Sequence, residues 1–115
     1  MARRFAQEHE VHLVLKGART LVARPDGSVS INPTGNPGMA SGGMGDVLTG
    51  MIGGLLAQGM PMGDALDLGV YLHGLAGDQV AAEKGTVGMA AGDLLCLLPG
   101  IIRELSEKTD LGKQA

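Results

Sequence analysis

The chain has 115 residues, of which 44% are hydrophobic and 18% are charged, a balance typical of one folded domain and not of a disordered segment. Its net charge is −3 and its aromatic content is 2%, so neither a basic surface nor base stacking on aromatic side chains favours nucleic-acid binding. No apolar stretch approaches the roughly 18 residues of a membrane span, and we expect no membrane association.

The first predicted elements are a short helix and three strands. Residues 2–10 indicate a helix. Residues 11–15 indicate a strand that is apolar on both faces apart from His12, which is typical of a central, parallel strand. Residues 20–31 predict a β-hairpin, because the Pro-Asp-Gly sequence at 25–27 favours a tight turn between two short apolar runs.

The second half of the chain is predicted to be helical. Residues 32–40 contain two prolines and two glycines and therefore predict a loop. Three helices are expected to follow, one ending near residue 58, one over 63–84, and one over about 92–108 with a kink at Pro99 and a frayed tail beyond it. The order of a strand, a hairpin and three helices predicts an α/β fold whose sheet is too small to be complete.

A glycine-rich turn lies between the loop and the first of these three helices. Gly42, Gly43 and Gly45 would each cost about 0.8–1 kcal/mol relative to alanine inside a helix, yet an apolar helical run begins at Val47. Such a turn lets backbone N–H groups approach a phosphate, and the helix dipole favours the same anion. Asp46 in the first helical turn suggests a catalytic base or a magnesium organiser. The alternative is a glycine-rich hinge in which Asp46 only complements the helix dipole.

A second candidate site segment follows the first strand. Lys16 comes directly after an apolar strand, so its ammonium group is expected at a strand end, where α/β folds bind ligands. Gly17 and Ala18 would allow a ligand to approach the backbone closely, and Thr20 offers a hydroxyl group. The alternative is an ordinary turn at the end of a strand with a solvated lysine.

Other polar residues are predicted to have structural roles. His73 lies on an apolar helix and is interpreted as a structural histidine in preference to a nucleotide ligand. Asp78 is interpreted as a helix-surface charge, Asp93 as a helix-start residue and Asn36 as a candidate brace of the glycine-rich loop. Cys96 lies in an apolar run and predicts a buried core residue in a reducing, cytoplasmic compartment. No histidine or cysteine spacing indicates a protein metal site.

Four segments of this chain resemble one enzyme family. Residues 14–20, 35–59 and 69–78, and the Ala-Gly-Asp-Leu-Leu run at 91–95, are similar to the ADP- or ATP-dependent NAD(P)H-hydrate dehydratases of the ribokinase-like superfamily. The resemblance implies the C-terminal portion of a ribokinase-like three-layer fold, with residues 1–115 as a partial dehydratase domain. The N-terminal part of the family domain has no counterpart in this sequence.

The resemblance also implies an activity and its participants. The family repairs NADH hydrate or NADPH hydrate by phosphorylating the added hydroxyl group, after which phosphate leaves and the nicotinamide ring is restored. ADP or ATP is the expected phosphoryl donor and Mg²⁺ the expected ion. Asp46 is the expected base and also a contact of the hydrate. The residues implied in nucleotide binding are Lys16, Gly17, Ala18, Arg19, Thr20, Gly42, Gly43, Met44 and Gly45.

Two alternatives stand beside this assignment. A ribokinase-like kinase for a small molecule would use the same anion site and base, but would leave the phosphate on its product. A non-catalytic fragment would associate through its incomplete sheet. We expect this chain to form a homo-oligomer or to associate with the missing N-terminal part of the domain.

Overall fold

The computed structural model describes the backbone of residues 2–16, 19–40 and 42–114, and the side chains as far as residue 106. The elements in chain order are α1 (Ala2–His9), β1 (Leu13–Leu15), β2 (Leu21–Ala23), β3 (Val29–Ile31), a 3₁₀ helix (Pro37–Met39), α2 (Met44–Ala57), α3 (Met62–Lys84) and α4 (Ala91–Gln114). This order confirms the predicted α/β arrangement of a strand, a hairpin and three C-terminal helices.

The described strands form an antiparallel sheet in the order β1-β2-β3, with Leu13 opposite Ala23 and Leu21 opposite Ile31. The hairpin between β2 and β3 closes as predicted. The carboxylate of Asp26 accepts hydrogen bonds from the backbone N–H and the hydroxyl of Ser28, at 2.8 and 2.6 Å. The prediction of a central, parallel β1 is not met within the described residues, where β1 is an antiparallel edge strand. Apolar residues at successive positions carry no information about strand direction, and here they do not report burial on both faces, because none of the three β1 residues is fully buried and Leu15 is 46% exposed.

Two groups of buried side chains hold the layers together. One joins β2 to α2 and α3 through Val22, Leu48, Leu66 and Val70. The other joins the three long helices, and its buried members are Met44, Leu72, Ala76, Val80, Met89, Leu94, Leu98 and Ile101. Helices α2 and α3 both contribute to the two groups, and α3 supplies Leu72, Ala76 and Val80 to the group that also contains residues of α4.

Helix α4 differs from its prediction in two respects. It continues to Gln114, beyond the expected end near residue 108. Cys96 is exposed, so its assignment to the core was wrong. Leu94, Leu98 and Ile101 face the core at helical spacing, and a rotation of about 100° per residue turns Cys96 away from them. Among the described residues, no helix combines the length and apolar character needed to cross a bilayer.

Candidate active site

The glycine-rich turn ends at a glycine with a left-handed backbone. Gly43 is the N-cap of α2 and has φ = +86°, a conformation that side chains disfavour. Its carbonyl accepts the N–H of Val47 at 3.1 Å, which is the first bond of the helical ladder. The N–H groups of Met44, Gly45 and Asp46 therefore have no acceptor within the helix, and donors of this kind suit an anion.

The ammonium group of Lys16 lies directly beside this helix start. A Cβ atom built on Gly45 would be 3.1 Å from Lys16 Nζ, so the missing side chain leaves room for the ammonium. Lys16 follows β1 and Gly45 lies in the first turn of α2, and the fold thus brings the two predicted segments into contact. A positive charge and the positive end of a helix dipole act here on the same volume, and both favour an anionic ligand.

A cavity of about 700 Å³ opens between the sheet, the loop 32–40, α2 and α3. Its size falls within the range of small-molecule sites, which is about 300–1,000 Å³. Its lining consists of Lys16, Thr20, Asn32, Thr34, Gly35, Asn36, Pro37, Met39, Ala40, Met44, Leu48, Val70, His73 and Gly74. Apolar walls combined with a few amide, hydroxyl and ammonium groups suit an organic ligand with an anionic end.

The predicted site residues lie on two sides of the start of α2. Lys16, Thr20 and Met44 line the cavity, whereas Asp46 is exposed to solvent. Asp46 follows Met44 by two residues, or about 200° around the helix, so it faces away from the cavity wall. Of the remaining predicted site residues, Arg19, Gly42 and Gly43 are exposed and Gly45 is half-buried. Gly17 and Ala18 lie outside the described residues.

His73 joins α3 to the start of α2. Its ring is buried, and Nε2 lies 3.0 Å from the carbonyl oxygen of Met44. Because a carbonyl can only accept, Nε2 carries the proton and donates it to this bond. Burial lowers the pKa of His73, the bond to Met44 partly opposes this shift, and the charge of Lys16 adds to the lowering. The prediction of a satisfied structural histidine is confirmed, and the same ring also lines the cavity.

The loop 32–40 supplies site residues that sequence reasoning missed. Asn32 Nδ2 donates to the carbonyl of Val70 at 3.4 Å, and the hydroxyl of Thr34 lies 3.2 Å from the carbonyl oxygen of Tyr71. Both bonds tie the cavity wall to α3. A Cβ on Gly74 would lie 2.0 Å from Thr34 Oγ1, so this glycine admits the loop. The available signal was the close spacing of Gly74 and Gly77 in α3, which also contains Gly63 and Gly69.

Asp78 corrects another prediction. It is half-buried and not a free surface charge, because its carboxylate accepts the N–H of Gly35 at 3.0 Å and Asn36 Nδ2 at 2.9 Å. Asn36 in turn accepts the N–H of Gly38 and so caps the 3₁₀ helix. These bonds make Asn36 a brace of the loop 32–40, and its role as a brace of the glycine-rich turn stays a prediction. Asp93 accepts the N–H of Ala90 at 3.0 Å and is the expected helix-start residue.

These features define a ribokinase-like α/β protein in which a lysine ammonium lies beside a glycine-rich helix start. The fold matches a ribokinase-like superfamily protein from Enterococcus faecalis with a TM-score of 0.77 and 36% identity, covering 89% of this chain and 35% of that one. It matches the ADP/ATP-dependent NAD(P)H-hydrate dehydratase from Bacillus subtilis, co-crystallised with ATP and Mg²⁺, with a TM-score of 0.85 and 38% identity, covering 90% of this chain and 37% of that one. Residues 1–100 match the NAD(P)H-hydrate dehydratase family model, and the chain belongs to this family.

The curated relatives carry consistent names and are much longer. The chain is 56% identical over 110 residues to the bifunctional NAD(P)H-hydrate repair enzyme Nnr of Moorella thermoacetica, covering 96% of this chain and 21% of the relative. It is 48% identical over 83 residues to the ADP-dependent (S)-NAD(P)H-hydrate dehydratase of Neisseria meningitidis, covering 71% of this chain and 28% of the relative. The matched part of the chain thus spans 21% and 28% of the length of these two proteins.

Proposed function

We propose that residues 1–115 form the C-terminal part of a dehydratase domain that repairs NADH hydrate or NADPH hydrate at the expense of ADP or ATP. Membership of the dehydratase family and the names of its relatives support this activity. The structural observation that carries the proposal is the approach of Lys16 Nζ to Gly45, because it joins the two segments implied in nucleotide binding at one anion site.

The nucleotide is proposed to lie along the cavity and to end at the start of α2. The mostly apolar cavity wall suits the nucleoside, and its volume of about 700 Å³ is sufficient. The phosphates would take N–H groups of Gly42, Gly43, Met44 and Gly45 and the ammonium of Lys16. Gly17, Ala18, Arg19 and Thr20 are proposed to complete this site on the strand side.

Asp46 is the proposed base. It would accept the proton of the hydrate's added hydroxyl group while the hydroxyl oxygen takes the terminal phosphoryl group of the nucleotide. Departure of that phosphate then restores the nicotinamide ring. The exposure of Asp46 supports this role, because its carboxylate faces the solvent side of α2, from which a second substrate can approach the phosphate end of the site.

The residues present fit a magnesium ion that is bound mainly through the nucleotide. Mg²⁺ keeps several waters and needs only one or two carboxylates beside substrate phosphates. The part of the chain that the structure describes holds no cluster of three acidic, histidine or cysteine ligands, and Asp46 is an exposed carboxylate at the phosphate end. When bound, Mg²⁺ would neutralise charge on the transferred phosphoryl group.

Calorimetric titration of the chain with ADP and with ATP, in the presence of Mg²⁺, tests the nucleotide site. We expect Lys16→Gln to weaken binding at least about ten-fold, since it removes a charged hydrogen bond to phosphate. Lys84→Gln is the control, because Lys84 is an exposed lysine at the far end of α3 that is paired with Asp93. Equal affinities for the wild type and Lys16→Gln would contradict the proposed site.

The reaction is tested by the return of NADH absorbance from NADH hydrate with nucleotide and Mg²⁺. Asp46→Asn is expected to abolish turnover and to leave nucleotide affinity within about three-fold, because it removes the base, no phosphate contact and at most one ligand of an ion that the nucleotide and water mainly hold. Release of free phosphate together with NADH is the expected result. A phosphorylated product that retains its phosphate would instead establish a small-molecule kinase.

We also propose that the chain associates, either with a second copy or with the remaining part of a dehydratase domain. Within the described residues β1 pairs with β2 on one edge only, and Ile31 of β3 is 60% exposed. An open strand edge beside exposed apolar side chains favours pairing with another strand. Light scattering over a range of concentrations tests self-association.

Nicotinamide substrates and an exposed Cys96 thiol favour the reducing cytoplasm as the location.

A further inference from the structure

We propose that Asp78 is a positioning residue, which fixes the loop of residues 35–38 on α3 and thereby sets the geometry of the glycine-rich turn. The inference rests on the proposed function in one respect only, which is that this turn binds a nucleotide. Asp78 lies on the side of α3 that contacts the loop. Asp78 would therefore affect ligand binding through the position of the loop and not by touching the ligand.

Three hydrogen bonds form a short relay from α3 into the loop. Asp78 Oδ2 accepts the N–H of Gly35 at 3.0 Å, and Asp78 Oδ1 accepts Asn36 Nδ2 at 2.9 Å. Asn36 Oδ1 then accepts the N–H of Gly38 at 3.0 Å. Both oxygens of the carboxylate and both ends of the amide are engaged, so the relay determines which way the amide of Asn36 points.

The seat of this loop has little free space. A Cβ on Gly38 would lie 2.6 Å from the carbonyl oxygen of Thr86, and a Cβ on Gly77 would lie 2.2 Å from Met39 Sδ. The loop is therefore enclosed by α3 on one side and by the segment after α3 on the other. Because the loop is packed this closely, the hydrogen bonds from Asp78 select one position of the loop. A small shift of the loop cannot form a new hydrogen bond in place of a lost one.

The loop is directly continuous with the proposed phosphate site. Gly35, Asn36, Met39 and Ala40 line the cavity, and Ala40 precedes Gly42 by two residues. A displacement of the loop would therefore change the cavity wall and the approach of the glycine-rich turn together. Small misplacements of binding groups reduce ligand affinity and catalysis strongly, although the displaced residue itself touches no ligand.

The chemistry of the relay provides a specific test. Asp78→Asn places an amide N–H₂ against Asn36 Nδ2, so two donors face each other. Asn36→Asp places two carboxylates against each other. The double variant, which combines Asn36→Asp with Asp78→Asn, restores all three bonds, with donor and acceptor exchanged only in the bond between side chains 36 and 78. The new amide at position 78 would donate to the new carboxylate at position 36 and still accept from Gly35, and the total charge is unchanged.

The experiment compares the wild-type 115-residue chain with both single variants and the double variant. ADP affinity is measured by calorimetry, and the amide signals of Gly35, Gly38, Gly43 and Gly45 are followed by NMR. Asp93→Asn is the matched control, because Asp93 also accepts one backbone N–H and one side-chain donor, but at the start of α4. We expect each single variant to weaken ADP binding about ten-fold, and the double variant to recover to within about three-fold of the wild type.

The outcomes separate this inference from the proposed function. Wild-type affinity in both single variants, or no recovery in the double variant, would overturn the positioning role. An equal loss in Asp93→Asn would show a general effect of stability and would overturn it as well. If the folded wild type binds no ADP, the proposed function fails. The positioning role is then decided by the amide signals of Gly43 and Gly45, which must shift in Asp78→Asn and return in the double variant.

Discussion

Gly74 provides the sharpest test of how the cavity wall is built. An ideal Cβ at this position would lie 2.0 Å from Thr34 Oγ1, 2.7 Å from Thr34 Cβ and 2.8 Å from the Thr34 carbonyl carbon. Thr34 is β-branched, and one of the three atoms belongs to the backbone, so a rotamer change cannot relieve the clash. Gly74→Ala must therefore push the loop 32–36 away from α3.

The expected cost follows from opposing contributions. Alanine gains about 1 kcal/mol over glycine in a helix interior. Overpacking costs about 1–3 kcal/mol. Displacing the loop also weakens the bond from Asn32 to the Val70 carbonyl and the contact of the Thr34 hydroxyl with the Tyr71 carbonyl, for which Asn32 Oδ1 competes. Together these two interactions contribute about 1 kcal/mol. We expect a net loss of about 2 kcal/mol in the free energy of unfolding, and a melting temperature lower by about 8 °C.

Urea unfolding of a matched series measures this effect. In Gly50→Ala the new methyl group meets no heavy atom of the described residues within 4 Å, so the variant should gain up to about 1 kcal/mol. Gly77→Ala should fall between the two, because its Cβ meets the flexible thioether of Met39. If Gly74→Ala were as stable as Gly50→Ala, the loop would not be seated on α3 as described.

Three further predictions concern single titratable groups. Burial lowers the pKa of His73 in the folded chain, so as the pH falls the unfolded chain binds this proton first. The free energy of unfolding should therefore be highest above pH 6.5 and decline as the pH falls below that value. Urea unfolding over a pH series should show this decline in the wild type and not in His73→Gln. The hydrogen bond from Lys84 lowers the pKa of the Asp93 carboxyl, so ionised Asp93 stabilises the folded chain above pH 3.8. This stabilisation should disappear as the pH falls through the lower pKa of the folded state. Acid unfolding of Asp93→Asn should show no such loss of stability. Cys96 is exposed and should react with a thiol reagent in the folded chain; a thiol that does not react would contradict this exposure. Cys96→Ser should change the free energy of unfolding by less than about 0.5 kcal/mol.

Much of the fold could be predicted because its signals are local. The Pro-Asp-Gly turn and the alternation around it determine the β2-β3 hairpin within a dozen residues. The apolar repeat from 63 to 84, with Gly85 as its stop, predicted α3 to within one residue. The glycine-rich turn was also found, since glycines before an apolar helix indicate a backbone that must adopt φ > 0 or approach a ligand.

The errors share a different cause, which is that they depend on distant partners. Cys96 lies in a uniformly apolar run, and only the packing of α4 on α3 decides that Leu94 and Leu98 face inward while Cys96 faces out. Asp78 looks like any charged helix residue until the loop 35–38 is laid against it. The edge position of β1 likewise depends on which strands are present to pair with it.

The amino-acid sequence by itself determined the order of the elements, the glycine-rich start of α2 and the residue types suited to a phosphate. Only the tertiary structure decided that Lys16 meets Gly45, that His73 bonds the Met44 carbonyl, and that Met44 lines the cavity whereas Asp46 is exposed. The physical reason is range: turns and helical periodicity arise from neighbours within a few residues, whereas a binding site consists of contacts between residues that are about 30 apart in the chain.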